Sequence, residues 1–317
     1  MSRPAEQIPT DFSDPLLRYF AATRPAFLSV TFTAALLGLA TAFTDGITPF
    51  PLTAMVTLCF ALIAHAGINV LNDYYDAQNG TDAINTERQF PFTGGSRFIQ
   101  NGVLSLRATG IFGYALLAAV VPVGLWLAHR TGAGLMWIGL AGLFVGWAYS
   151  APPLRLMSRG LGELAVAGGW LIVVIGADYV QRGAFSWTPL AAGLSYALHV
   201  SNVLYIAQFP DYRADAAVGK RNWVVRLGPV RARWIYPVTL LAAYGWLLAM
   251  VATGRLHWLA LLAFIAGVPA IVATRALLHH AQQPSLLVPA IRLTIAAAML
   301  HGLLLAAALV AARLREA

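Results

Sequence analysis

Lysine is nearly missing from this chain. Its 317 residues carry 21 basic side chains, and Lys220 is the only one that is not arginine. Charge of either sign is scarce, at 11% of residues, where a soluble domain carries about 25%. At 59% hydrophobic, the chain holds more apolar surface than one soluble core of this size can hide. The surplus must face lipid. Cysteine is nearly absent too: Cys59 alone excludes an intrachain disulfide and a thiolate metal cluster. The first 24 residues are polar with no apolar core, so no cleavable signal peptide is expected. The formal charge is +8. No basic helix with interleaved aromatics accompanies it, so nucleic acid is not an expected partner.

What is present is length in apolar runs. A helix needs about 20 apolar residues to cross the hydrocarbon core. Nine candidate spans occur, near 25–44, 52–75, 108–128, 133–150, 161–181, 188–209, 232–253, 257–278 and 287–312. Unpaired backbone polar groups are not tolerated in lipid, so these read as helices rather than strands. The expectation is an all-α polytopic membrane protein. Residues 1–24 form an N-terminal segment, 25–312 one bundle and 313–317 a short tail. Two joints are long and charged, 76–107 and 210–231. With the N-terminus in the cytoplasm, both joints are cytoplasmic. That choice leaves Arg130, Arg182, Arg255, Arg313 and Arg315 on the far side and the other sixteen basic residues, from Arg3 to Arg292, on the near side.

The second and sixth spans echo each other. One carries His65, Asn69, Asn72, Asp73 and Asp76, the other His199, Asn202, Asp211 and Asp215, with His-to-Asp distances of 11 and 12 residues. Duplication or chance would each produce this. Asn69, Asn72, Asp73 and Asp76 are spaced i, i+3, i+4, i+7 and share one helix face. Carboxylates near the end of an apolar helix cost free energy and repel one another. A divalent cation removes both problems, and oxygen-only ligands favour Mg²⁺ over Zn²⁺. Asp211 and Asp215 are i, i+4, and Lys220-Arg221 follow. Carboxylates for metal beside cations for phosphate oxygens suit a diphosphate.

A third segment runs Tyr149-Ser150-Ala151-Pro152-Pro153-Leu154-Arg155 and on to Arg159 and Glu163. The double proline must break a helix. Arg155 and Arg159 then read either as diphosphate or acceptor contacts or as topology anchors. Asp82 reads either as part of the first acidic cluster or as a cap or loop charge; other single residues have plain readings: Glu87 as a cap or loop charge, Glu163 on its helix's N-terminal dipole, Asp178 at the far interface. His65 and His199 read as pocket-lining hydrogen-bond partners.

These residues resemble a known family. Asn72-Asp73-Tyr74-Tyr75-Asp76 with Asp82, and Asp211-x3-Asp215 with Gly219-Lys220-Arg221, are similar to the paired acidic motifs of the UbiA superfamily of intramembrane prenyltransferases. Arg24-Pro25 before the first span fits as well. Asn79-Gly80-Thr81-Asp82, Thr93-Gly94-Gly95-Ser96-Arg97, Tyr149 to Pro153, and Lys220-Arg221 through Val225-Arg226-Leu227-Gly228 resemble the 1,4-dihydroxy-2-naphthoate polyprenyltransferase branch. The chain departs from that branch at Gln208, where Asn is usual, and at Asn222, where Thr is usual.

The resemblance implies an enzyme that moves an isoprenoid from a polyprenyl diphosphate to an aromatic acceptor on the cytoplasmic side of a bacterial-type inner membrane. It implies Mg²⁺ on Asn72, Asp76, Asp211 and Asp215, with Asp76, Asp211 and Lys220 in the chemistry. Arg24, Asn69, Asp73, Asp82, Arg97, Tyr149, Arg155, Gln208 and Arg221 are the implied substrate contacts. No obligate protein partner is expected. A 4-hydroxybenzoate, homogentisate or tetrapyrrole acceptor stays open. Two other classes compete. A transporter or quinone-binding subunit would use intramembrane charges as an ion path, but here the acids cluster on one side. A phosphatidyl-alcohol transferase would need an Asp-Gly-containing motif that is absent.

Overall fold

The computed structural model describes residues 14–316; Arg3, with the rest of 1–13, and Ala317 lie outside the described residues. The described chain is helical, without a strand. Proline opens several helices, at the position where its missing N–H would have no partner anyway. Pro15, Pro25 and Pro51 begin α1 (Pro15–Ala22), α2 (Pro25–Thr44) and α3 (Pro51–Asn79). Gly80, at φ 84°, ends α3 in the left-handed conformation a glycine adopts freely. A one-turn α4 (Thr81–Ile84) leads into a stretch, 85–105, without helix. Ser105 caps α5 (Leu106–Thr131), its side chain accepting from Ala108 N at 3.1 Å. There follow α6 (Gly134–Ser150), α7 (Gly162–Arg182), α8 (Thr188–Ala217), two short helices α9 (Trp223–Leu227) and α10 (Pro229–Ala232), and α11 (Ile235–Ala252). A 3₁₀ segment (Trp258–Ala266) runs into α12 (Gly267–His280), and α13 (Val288–Glu316) ends the described chain.

Among the described residues, eight helical stretches are long and apolar enough to cross a bilayer. The expected fourth span is shorter. Gly132 closes α5 before it, and Pro152-Pro153 stop α6 after Ser150, leaving 17 residues. In the other direction, α3 and α8 outrun their apolar stretches by one to two turns. Their acidic last turns persist because those side chains find donors, described below. Side chains such as Ile111, Trp137 and Leu241 stand 61%, 73% and 73% exposed. In water they would be a liability; here they form the lipid face.

The bundle packs around α8, whose apolar stretch is 72% buried and which touches α2, α7, α11 and α13. On the other flank α3 packs on α5 through glycines. A Cβ on Gly67 would come within 2.9 Å of Leu117, and one on Gly113 within 2.8 Å of Leu71. Small residues let helix backbones approach where lipid supplies no hydrophobic drive.

Asp178, near the C-terminal end of α7, is buried within the bundle at 1% exposed. Arg182 Nε donates to its Oδ1 at 2.7 Å, Thr41 Oγ1 donates to its Oδ2 at 2.9 Å, and Arg182 also reaches Asp45 at 2.8 Å. Pairing makes burial tolerable. His199 lines no cavity described below. It stacks on His301 with ring centroids 4.0 Å apart, and its Nδ1 lies 2.9 Å from the Ser195 carbonyl.

Candidate active site

The last turns of α3 and α8 end side by side. Asp76 comes from α3, Asp215 from α8, and Lys220 from the loop after α8 reaches between them. Its Nζ lies 2.8 Å from Asp76 Oδ1 and 3.3 Å from Asp215 Oδ1. Burial works against the ammonium, but the two carboxylates outweigh it and hold its pKa above the ordinary lysine value. Asn72 Nδ2 donates to Asp76 Oδ2 at 3.3 Å and to Ser150 Oγ at 3.1 Å. Asn222 Nδ2 donates to Asp215 Oδ2 at 2.8 Å. The carboxylates of Asp76 and Asp215 thus each hold donors of the chain.

The non-helical stretch 85–105 folds over these helix ends. Asn85 Nδ2 donates to Asp211 Oδ1 at 2.7 Å, and Gly94 N to Asp211 Oδ2 at 3.2 Å. Ser96 N donates to Asp73 Oδ2 at 3.0 Å. Gly95, at φ 68°, lies against two carboxylates: a Cβ there would be 2.7 Å from Asp73 Oδ1 and 3.1 Å from Asp82 Oδ2. Both of those oxygens are buried without a partner, as is Gln208 Oε1. Burial first, then the charges of Asp76 and Asp73, push the Asp82 carboxyl up to about 8. Arg97 braces this stretch: its side chain donates to the Asp82 carbonyl at 2.9 Å.

A small polar cavity of about 120 Å³ lies among Asn72, Asp76, Asp82, Gln208, Asp211, Asp215 and Lys220. Beside it is an apolar chamber of about 620 Å³, walled by α2, α3, α6, α7 and α8 and by Phe90, Phe92 and Phe98 of the covering stretch. Arg24, Asn72, Gly95 and Tyr149 line both, so the two spaces adjoin. Arg24 stands at the corner between α1 and α2 in a left-handed conformation (φ 58°). In the chamber wall, Asn69 Nδ2 donates to the Thr23 carbonyl at 3.1 Å, and His65 Nδ1 pairs with Thr31 Oγ1 at 2.8 Å.

Of the residues expected at the site, the structure brings together Arg24, Asn69, Asn72, Asp76, Asp82, Tyr149, Gln208, Asp211, Asp215 and Lys220, with Asp73 just beneath Gly95. Three arginines stand apart. Arg155 and Arg221 are exposed and line neither space. Arg97 spends its guanidinium on backbone carbonyls. Arg159 likewise turns to the Pro153 carbonyl at 2.7 Å. Gln208 donates its amide N–H to Glu163 Oε1 at 2.8 Å, which gives Glu163 a second task beyond its place in the first turn of α7. Asn85 is absent from the expected site residues; Thr93 and Gly94 entered only through the Thr93-Gly94-Gly95-Ser96-Arg97 run, and Asn222 only as the departure after the Lys-Arg pair.

The donor set suits magnesium. Asn72, Asp76, Asp211 and Asp215 offer only oxygens as ligands, each retaining lone pairs beyond the hydrogen bonds above. Among the described residues no three acidic, histidine or cysteine side chains close around a bare ion. An open site of this kind fits Mg²⁺, which takes one or two carboxylates and completes its shell with water and substrate phosphate. Asp82 and Gln208, each with an unpartnered oxygen, also line this cavity.

Fold and site together define a polytopic helical membrane protein that pairs two acidic helix ends over an apolar chamber. The chain belongs to the UbiA prenyltransferase family, which it matches over residues 30–293. It is 29% identical over 292 residues to the 1,4-dihydroxy-2-naphthoate octaprenyltransferase of Escherichia coli, covering 89% of this chain and 91% of that protein. It is 27% identical over 191 residues to the 2-carboxy-1,4-naphthoquinone phytyltransferase of Synechocystis, covering 60% of this chain. The chain spans about three fifths (59%) of the length of that curated relative. The fold is similar to that of a UbiA homologue from Archaeoglobus fulgidus bound to GPP and Mg²⁺, at a TM-score of 0.53 and 17% identity, covering 91% of this chain and 99% of that one.

Proposed function

We propose that this protein transfers an isoprenoid chain from a polyprenyl diphosphate to an aromatic acceptor, with 1,4-dihydroxy-2-naphthoate as the acceptor and the acidic end facing the cytoplasm. One observation carries the reading. Two acidic helix ends and a lysine meet at a polar cavity, and that cavity adjoins an apolar chamber of about 620 Å³. A diphosphate with a long apolar tail has those two halves.

Asn72, Asp76, Asp211 and Asp215 would hold Mg²⁺, which when bound offsets the diphosphate charge and aids its departure. Lys220 and Arg24 add positive charge where the leaving group gains negative charge. The allylic C–O bond then breaks, the diphosphate keeping the electron pair. The chamber walls hold the tail and keep water from the carbocation. A ring carbon of the acceptor supplies the pair for the new C–C bond; on a dihydroxynaphthoate, attack at the carbon bearing the carboxylate is followed by loss of carbon dioxide, whose bonding pair returns to the ring and restores its aromaticity. His65, Asn69 and Tyr149, which line the chamber, would orient the acceptor within largely apolar walls.

The test is an assay of purified protein in nanodiscs with Mg²⁺, one labelled polyprenyl diphosphate and a panel of acceptors. Prenylated, decarboxylated product from 1,4-dihydroxy-2-naphthoate is expected. Product from 4-hydroxybenzoate or homogentisate alone would move the acceptor assignment, and no product from any aromatic acceptor would end it.

A further inference from the structure

A charged lysine rarely lies in a protein interior unless it is paired. Lys220 is 8% exposed. Its ammonium touches Asp76 Oδ1 at 2.8 Å and Asp215 Oδ1 at 3.3 Å, one carboxylate from each acidic helix end. The opposite oxygens of the same carboxylates are tied down, Asp76 Oδ2 by Asn72 and Asp215 Oδ2 by Asn222. Asn222 is itself pinned, because its Oδ1 accepts from Val225 N at 2.9 Å as the cap of α9. The two carboxylates therefore present fixed oxygens to one point, and a positive charge already occupies it. A metal ion drawn to those oxygens meets the ammonium there, and two cations so close repel strongly. Lys220 is free to leave where the carboxylates are not. It sits on a flexible four-carbon stem, after Gly219 at φ 78° with open space around it.

Granted the metal-assisted diphosphate reaction proposed above, we infer that Lys220 is an internal stand-in for the metal. It holds Asp76 and Asp215 together while no ion is bound. It yields that point to an ion when a diphosphate arrives to receive its charge. Asn222 keeps Asp215 in place during the exchange. Metal and diphosphate therefore bind with positive coupling, and the resting protein takes up little free divalent cation. An arginine at this position would still fill the point. Its planar fork would grip the carboxylates by several donors and release them less readily.

Equilibrium dialysis of Mn²⁺ against the full chain in nanodiscs, with empty nanodiscs as control, tests this with and without inorganic pyrophosphate. Without pyrophosphate, Lys220→Gln should bind Mn²⁺ about tenfold more tightly than wild type, within the usual span of coupling between sites. Lys220→Arg should bind it no more tightly than wild type. Pyrophosphate should raise wild-type affinity by about the same factor and change Lys220→Gln less. If wild type takes up no Mn²⁺ even with pyrophosphate, the metal–diphosphate reading and this inference fall together. If it does, but Lys220→Gln binds free Mn²⁺ no more tightly than wild type, the inference alone falls. Should Lys220→Gln fail to fold, the wild-type arm decides: Mn²⁺ affinity indifferent to pyrophosphate overturns the exchange.

Discussion

Asp211 and Lys220 show how much one side chain carries here. Asp211 accepts from Asn85 and from Gly94 N, so Asp211→Ala removes a proposed metal ligand and strands two donors, at about 1–3 kcal/mol each. Turnover should fall to near background, as for Asp76→Ala. Near wild-type turnover of either folded variant in EDTA would refute a metal site. Lys220→Ala should lower kcat by roughly 10²-fold, the scale of losing a transition-state charge stabiliser, with partial rescue by Lys220→Arg, read by steady-state kinetics in nanodiscs. Asp82 supplies a pH signature. Its folded pKa of about 8 is above the ordinary carboxylate value of 3.8, so between the two the folded state holds a proton that the unfolded state lacks. Stability in EDTA should therefore fall as pH rises through that window. Asp82→Asn should flatten the dependence in thermal melts, and an unchanged slope would reassign the proton. The acidic residues were legible in the sequence because their i, i+3 and i, i+4 spacing is local. Their donors were not. Asn85 meets Asp211 across 126 residues, and no pattern announces such a pairing. Arg155 misled for a related reason: a cation after a double proline looks the same whether it serves a ligand or the membrane surface.

Among the elements, the covering stretch 85–105 has the tightest fit. Gly95, at φ 68°, has two carboxylates where a side chain would go, so Gly95→Ala should lower both melting temperature and activity. Gly169→Ala makes the control. It lies in the chamber wall, and its added methyl would meet nothing within 4 Å. It should leave the melting temperature unchanged or slightly raised, as alanine favours a helix over glycine by about 1 kcal/mol. Equal losses in both variants would show that the close approach at Gly95 has no special weight. Helix positions were largely legible, since apolar length is a strong signal. Helix ends were less so. The extra turns of α3 and α8 depend on partners for Asp76 and Asp215 that only the folded bundle supplies.

For the molecule as a whole, the charge bias that orients it makes a direct forecast. With Cys59 replaced by alanine, a cysteine at the exposed Arg213 should react with an impermeant thiol reagent only after the membrane is opened. One at the exposed Arg255 should react in intact cells. The reverse pattern would invert the topology.

The ion pairs at the two ends also differ in how far along the chain their partners lie. Asp178 and Arg182 are one turn apart on α7, so that helix can leave the translocation machinery already neutralised. A bare ion costs about 2.5–3.5 kcal/mol at mid-helix and less toward a helix end, where this pair sits. Asp76 has no such neighbour on α3, and its lysine is synthesised 144 positions later. During biosynthesis the far end can settle helix by helix, while the acidic end waits until more than two thirds of the chain has been made. A nascent protein stalled before Lys220 would sit in the bilayer with its carboxylates still seeking a cation.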